Sequence, residues 1–249
     1  MKLSIQCYTV RQAMERDVWG TFRSLKAMGL NYVEIGGSYG PTPKELKNGL
    51  DDIGMGISAC HVGMSELESQ FDKIVEDNLL YGSGCIVLAS VGRAKYSQGW
   101  QVVAKELEEY GARFKEVGFK FAYHNHSFEF QLQDGKPGLD ILYDSSDPSL
   151  LMAQIDTYWV AYGNADPAAY LRKLRGRVPY IHVKDGKLGG DEPRFLEVGN
   201  GDLNWDDILA ACKESGVEFA AIEQDLCERP ELESAKISVD FLRSKGVVD

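Results

Sequence analysis

The chain has 249 residues, a hydrophobic fraction of 44% and a formal charge of −11. That balance lacks the basic footprint that nucleic-acid phosphates or an anionic membrane surface require, and no apolar run is long enough to span a bilayer. Five scattered cysteines (Cys7, Cys60, Cys85, Cys212, Cys227) without a CxxC pair read as packed small hydrophobes in a reducing compartment, and with no apolar signal region in MKLSIQCY the expected location is cytoplasmic.

In chain order, the strand expected at LSIQCY (3–8) is followed by YVEI (32–35). Thr42-Pro43 then offers an N-cap with proline at the first helical position of PKELKNGLDD. After the strand ISACH (57–61), SELESQFDKIVEDNLLYG has capping-box spacing at Ser65 and Glu68 and a stop at Gly82. The strands CIVLA (85–89), FKFAYH (119–124) and LMAQI (151–155) follow, and Asp166-Pro167 opens another helix. YIHV (180–183) leads into a long loop, DGKLGGDEPRFLEVGNGDL (185–203). Asn204 caps WDDILAACKESG, and FAAIE (219–223) is the eighth strand. Glycines in MGLNYVEI, MGISACH, VGFKFAYH and SGVEFAAIE are expected to end each helix in the left-handed conformation just before a strand. Eight such βα units in one domain, residues 1–249, predict an α/β fold, a single (β/α)8 TIM barrel. A doubly wound sheet is disfavoured because no GxGxxG follows the first strand.

Barrels of this kind place function at the C-terminal ends of their strands. Asp156, His182 and Glu223 occupy three successive strand ends, and carboxylate with imidazole suits a hard-to-borderline divalent cation. Glu223 within an apolar strand is costly unless paired or on a metal. At the fifth strand end, YHNHSFEF adds His124, His126 and Glu129 from a chain with only four histidines.

The chain resembles the xylose isomerase-like TIM barrels, in particular the sugar phosphate isomerase/epimerase group with its ketose 3-epimerases, inosose dehydratases and keto-glycoside lyases. The likeness runs through LSIQCYTVR, YHNHSFEF, QIDTYWV, GRVPYIHVKD and IEQD. It implies one divalent ion (manganese first; cobalt, magnesium or zinc otherwise) held by Asp156, His182, Glu223 and a fourth group. Where many epimerases read LEPLN, this sequence reads AYHNH, with Tyr123 or His124 near the family's glutamate. Either Glu129 reaches back to the metal or a histidine replaces the carboxylate. Glu129 is expected as the ligand and His126 as the base.

The implied chemistry is proton abstraction next to a carbonyl of a small carbohydrate, a keto-sugar or cyclitol. Reprotonation gives isomerisation or epimerisation, and loss of a β leaving group gives dehydration or glycoside cleavage. Isomerase/epimerase is the first expectation, keto-sugar lyase or dehydratase the second, and a non-catalytic sugar-binding barrel the third. DNA phosphodiester hydrolysis, known on this barrel, needs more ligands and a basic face. His126, His124, Lys184 and Glu223 are the acid/base candidates, with Lys184 expected opposite to His182 if both lie on a regular strand, or else past the strand end and reaching substrate oxygen. His61, Trp159 and Asp185 complete the expected substrate-binding set. Imidazole near its free pKa of about 6.5 predicts a rate that falls as pH drops through that value. Arg175 and Arg177 are expected to be structural, which leaves no phosphate clamp. The expected partner is a small molecule, without nucleic acid or membrane, and homo-oligomerisation stays open.

Overall fold

The computed structural model describes residues 1–247. Eight parallel strands form the barrel: β1 (Lys2–Ile5), β2 (Tyr32–Gly36), β3 (Gly56–Val62), β4 (Cys85–Leu88), β5 (Lys120–His124), β6 (Met152–Asp156), β7 (Tyr180–Val183) and β8 (Phe219–Ile222). From β2 to β8 each pairs in parallel with its sequence neighbour, and β1 pairs with β8. A parallel bridge between Gln6 and Glu34 joins the ends of β1 and β2 and brings the sheet round on itself.

All eight expected strands are present, because each run is apolar enough to be covered on both faces. The first is shorter than expected. After Ile5 the chain turns into a 3₁₀ segment, Cys7–Val10, whose first turn is held by the Gln6 side chain accepting from the Tyr8 backbone.

The helix punctuation is read correctly in most places. Thr42 and Glu45 form a reciprocal capping box ahead of Pro43, Asp166 caps the helix at Pro167, and Asn204 caps the one at Trp205. Gly29, Gly118 and Gly216 hold φ of 89°, 90° and 78° at their joints. At the MGISACH joint the left-handed residue is Gly54 (φ 77°), and Gly56 already belongs to β3. The Ser65–Glu68 box does not form. The helix begins at Met64 with Glu66 receiving the Gly63 N–H, breaks at Gln70 and resumes as Phe71–Tyr81.

Strand alternation sorts the side chains. Ile86, Leu88, Phe121, Tyr123, Ile155, Ile181 and Val183 face the helices in the main core, while Cys85, Val87, Ala122 and Tyr180 form a second apolar cluster with Ala59. His124, His182 and Glu223 share strand faces with Ala122, Tyr180 and Ala221, so a polar layer sits above that apolar cluster. That layer is the site.

Candidate metal centre

β5 ends at His124, and the next residues wind into a 3₁₀ turn, Phe128–Phe130. Tyr123, on the helix-facing side, donates its hydroxyl to Glu129 Oε1 at 2.7 Å, and the His126 backbone N–H donates to Glu129 Oε2 at 2.9 Å. Glu129 is fully buried, and burial pushes its carboxyl up to about 7. Both oxygens are engaged in holding the turn. Glu129, the expected fourth ligand, therefore does not join the groups that converge; parity on β5 brings in His124 instead.

Among the described residues two sets converge, His61 with His124 and His182, and the four-residue set that includes carboxylates, His124, Asp156, His182 and Glu223, each residue offering a ligand atom within 4.8 Å of the others in its set. Register explains the approach. Asp156 lies beside His182 across the β6–β7 ladder, and Ala221, two before Glu223, lies beside His182 across β7–β8. His182 Nδ1 is 2.7 Å from Glu223 Oε2. Asp156 Oδ1 accepts from the Trp159 backbone N–H at 2.9 Å, as a helix cap, whereas Oδ2 is buried and without a hydrogen-bond partner among the described residues. His124 Nε2 stands 4.0 Å from that oxygen. A buried carboxylate oxygen with no donor is expensive unless a cation supplies its partner. Two imidazoles and two carboxylates suit Zn²⁺, Mn²⁺ or Co²⁺, so the residues present fit a divalent ion.

Residues two apart share a strand face. Lys184 lies just past the end of β7, as one of the two expected placements had it, and it stands on the His182 side, not opposite to it. Its Nζ is 3.2 Å from Glu223 Oε2, 2.7 Å from Asp225 Oδ1 and 3.6 Å from Asp156 Oδ2, with the side chain 1% exposed. The ammonium sits 5.1 Å from the Trp159 ring centroid and 5.0 Å from that of Phe195. Burial alone would lower its pKa, but Glu223, Asp156 and Asp225 outweigh that and raise it. Burial likewise opposes ionisation of Glu223, yet Lys184 and His182 hold it well below the usual carboxylate range. Asp156 goes the other way, pushed by burial up to about 7 against the pull of Lys184.

The expectation overlooked Glu34, in the YVEI run of β2. It is fully buried. Its Oε1 is 2.6 Å from His182 Nε2, 2.8 Å from His61 Nε2 and 2.9 Å from Gln6 Nε2, and its Oε2 accepts from Gln154 Nε2 at 2.9 Å. Burial works against its charge, but His182 and His61 draw the carboxyl down to about 2. Gln154 also meets His61 Nε2 at 2.7 Å and His124 Nδ1 at 3.0 Å through Oε1. The signal was in the sequence: an acid inside an apolar strand, the same anomaly that marks Glu223.

Above these groups opens a cavity of about 500 Å³, lined by Gln6, Tyr8, His61, Glu66, His124, His126, Lys184, Glu223 and Asp225, among others. The His126 ring lies 5.0 Å from His124 and 5.8 Å from Trp159, and its buried Nδ1 has no hydrogen-bond partner among the described residues. Burial, then the nearby Lys184 ammonium, lowers its pKa to about 4, so the ring is neutral through the physiological range. His61 stacks on His182 with centroids 5.1 Å apart. Trp159 packs against Lys184 and Phe195 rather than lining the cavity. Asp185 is a second departure. Its carboxylate accepts from the backbone N–H groups of Gly186, Gly199 and Gly201 and from the Trp205 indole at 2.7 Å, so it anchors the 185–203 loop and does not face the cavity. Arg177 is structural as expected, donating to the carbonyls of Leu151 and Tyr143.

Known proteins share this architecture. The chain is 24% identical over 237 aligned residues to the inosose dehydratase of Lacticaseibacillus casei, covering 79% of each chain. A sugar phosphate isomerase/epimerase from Parabacteroides distasonis ATCC 8503 superposes with a TM-score of 0.83 at 24% identity, over 100% of this chain and 95% of that one. The crystal structure of IOLI protein with a binding zinc atom gives 0.75 at 15% identity, over 100% and 98%. At such identities the two structures show likeness of fold. Residues 22–245 match the family described as xylose isomerase-like TIM barrel, and the chain belongs to that family.

Proposed function

We propose that the protein is a divalent-metal-dependent enzyme that removes the proton next to a carbonyl of a keto-sugar or cyclitol and eliminates water or an alcohol from the β position. The observation that carries this reading is the convergence of ligand atoms from His124, Asp156, His182 and Glu223, with Asp156 Oδ2 buried and without a hydrogen bond. A bound ion would supply Lewis-acid polarisation of the substrate's carbonyl and adjacent hydroxyl. The chain's own groups do the rest.

His126 is a neutral imidazole whose ring lines the cavity, which suits a general base. It takes the C–H proton, and the electron pair moves onto the carbonyl oxygen. Lys184, a buried cation at the cavity wall, is placed to offset negative charge there. Return of the pair expels the β oxygen, which leaves protonated by the His126 imidazolium. One neutral base and one fixed cation make an asymmetric pair, which supports elimination over reversible epimerisation. The name carried by the dehydratase relatives points the same way.

A second reading, isomerase or epimerase, draws on Glu223. It lines the same cavity, held ionised by Lys184 and His182, and offers a second proton acceptor. Metal-loaded protein in deuterated water with inososes, 3-keto-glucosides and ketohexoses, followed by NMR, separates the two. Dehydrated sugar or released aglycone supports elimination, and epimer or isomer without either refutes it. With neither product nor deuterium uptake on any substrate, only sugar binding would be left.

A further inference from the structure

We propose that Glu34 sets the proton positions of both imidazoles in the ligand cluster, directing His182 Nδ1 and His124 Nε2 at the ion. The inference rests on the metal reading above.

Glu34 is not one of the four converging groups, yet it touches what orients two of them. His182 stands between two carboxylates, Glu223 on the Nδ1 side at 2.7 Å and Glu34 on the Nε2 side at 2.6 Å. Glu223 belongs to the ligand set and Glu34 does not. With Nε2–H donated to Glu34, the Nδ1 lone pair is left for the ion beside Glu223, the carboxylate–histidine–metal arrangement by which an outer acceptor fixes a ligand's tautomer. The parallel stack of His61 on His182 holds the ring plane.

The second imidazole is reached through an amide. An ionised carboxylate only accepts, so Gln154 must present its NH₂ to Glu34 Oε2, at 2.9 Å. That leaves Gln154 Oε1 toward His124 Nδ1 at 3.0 Å, which makes Nδ1 the protonated nitrogen. His124 Nε2 then carries the lone pair, facing Asp156 Oδ2. One buried charge on β2 thus orders ligands on β5 and β7.

The chain of donors predicts how it breaks. In Glu34→Gln, the new amide can accept from His182 only by turning its NH₂ toward Gln154, so Gln154 must flip. Its NH₂ then meets His124 Nδ1 and drives the His124 proton onto Nε2. Exchanging both residues, Glu34→Gln with Gln154→Glu, restores an acceptor at each place.

Long-range ¹H–¹⁵N NMR of the Zn²⁺-loaded wild type should show protons on His182 Nε2 and His124 Nδ1. Calorimetric Zn²⁺ titration should find Glu34→Gln weaker by about 10–100-fold, with an altered visible spectrum of its Co²⁺ form, and the exchanged double variant recovering most of the affinity. The opposite tautomer at either histidine, or Glu34→Gln binding Zn²⁺ as tightly as wild type, overturns the proposal. If Glu34→Gln fails to fold, the wild-type spectrum decides alone. A wild type that takes up no divalent ion would overturn the metal reading and this inference with it, a different result from an ion bound with reversed protons.

Discussion

His126 and Glu129 sit three residues apart and play separable parts. Glu129 clamps the turn by accepting from the Tyr123 hydroxyl and the His126 backbone, while the His126 ring faces the cavity. Glu129→Gln is therefore expected to retain metal and lose about 1–2 kcal/mol of stability from a mismatched buried donor. Asp156→Ala should lose the metal, and elemental analysis of the two proteins side by side checks the contrast. His126→Ala should keep the ion and lose about 10²–10⁴-fold in kcat. Because burial and Lys184 hold the imidazole near 4, the acid limb of kcat in metal-saturated enzyme belongs near pH 4 rather than at about 6.5, and it should vanish in that variant. A limb at 6.5 that survives His126→Ala would assign the base elsewhere. Asp156, His182 and Glu223 were legible because an acid or histidine at an apolar strand's end has few bland explanations. The choice between His124 and Glu129 was not, since a strand's last residue and a following turn can both reach the mouth. Alternation on β5 and the Tyr123 hydroxyl settle the geometry, and the hydroxyl contact is invisible in sequence. Gln6 and Gln154 escaped notice because neutral amides in strands carry no charge anomaly.

At the scale of elements, the barrel was readable because each apolar run and each glycine joint repeats one physical unit. The errors fell where two candidates stood close together. Gly54 and Gly56 differ by two positions, and the helix takes whichever comes first after its last apolar contact at Leu50 and Ile53. Ser65 and Glu68 match a capping box, but Glu66 serves Gly63 two residues earlier. The 185–203 loop was expected to bring Asp185 to the substrate. In the fold it closes instead as a hairpin, Asp185–Lys187 against Arg194–Leu196, around the Asp185 carboxylate. Gly201 approaches so closely that a Cβ there would stand 1.9 Å from Asp185 Oδ1. Phe195 on the returning arm packs on Trp159 and under Lys184, so the hairpin carries one wall of the cation's niche. Asp185→Ala strands several donors, among them the buried Trp205 indole N–H, whose loss alone costs about 1–3 kcal/mol. The expected outcome is faster proteolysis within 187–203 with metal content retained. Unchanged cleavage would mean that the hairpin is held by other contacts.

For the whole molecule, the buried charges make stability a function of both pH and metal. Glu34 is lowered to about 2, so its contribution is present above about 4.5 and is lost as pH falls through 2. His126, lowered to about 4, adds stability above its ordinary 6.5 that is lost on acidification through 4. Asp156 and Glu129, both raised to about 7, act in the opposite direction, stabilising at acid pH and losing that contribution as pH rises through 7. Between pH 4 and 6.5 these effects oppose one another. Above 7 the balance changes. His182 is raised to about 10 because Glu223 and Glu34 outweigh its burial, so its share is complete below 6.5 and drains away as pH rises through 10. Metal-free protein is therefore expected to be most stable below about pH 6.5 and to lose melting temperature steadily from there to 10. A bound ion would take the place of the proton between His182 and Glu223 and would bind more tightly once ligand protons are gone. The loaded protein should accordingly lack most of that alkaline decline, and the gap in Tm between loaded and chelator-treated protein should widen from pH 6.5 to 9.5. Thermal melts of both forms across that range measure the gap directly. Parallel declines would place the ion away from His182 and would take the four-residue centre with it.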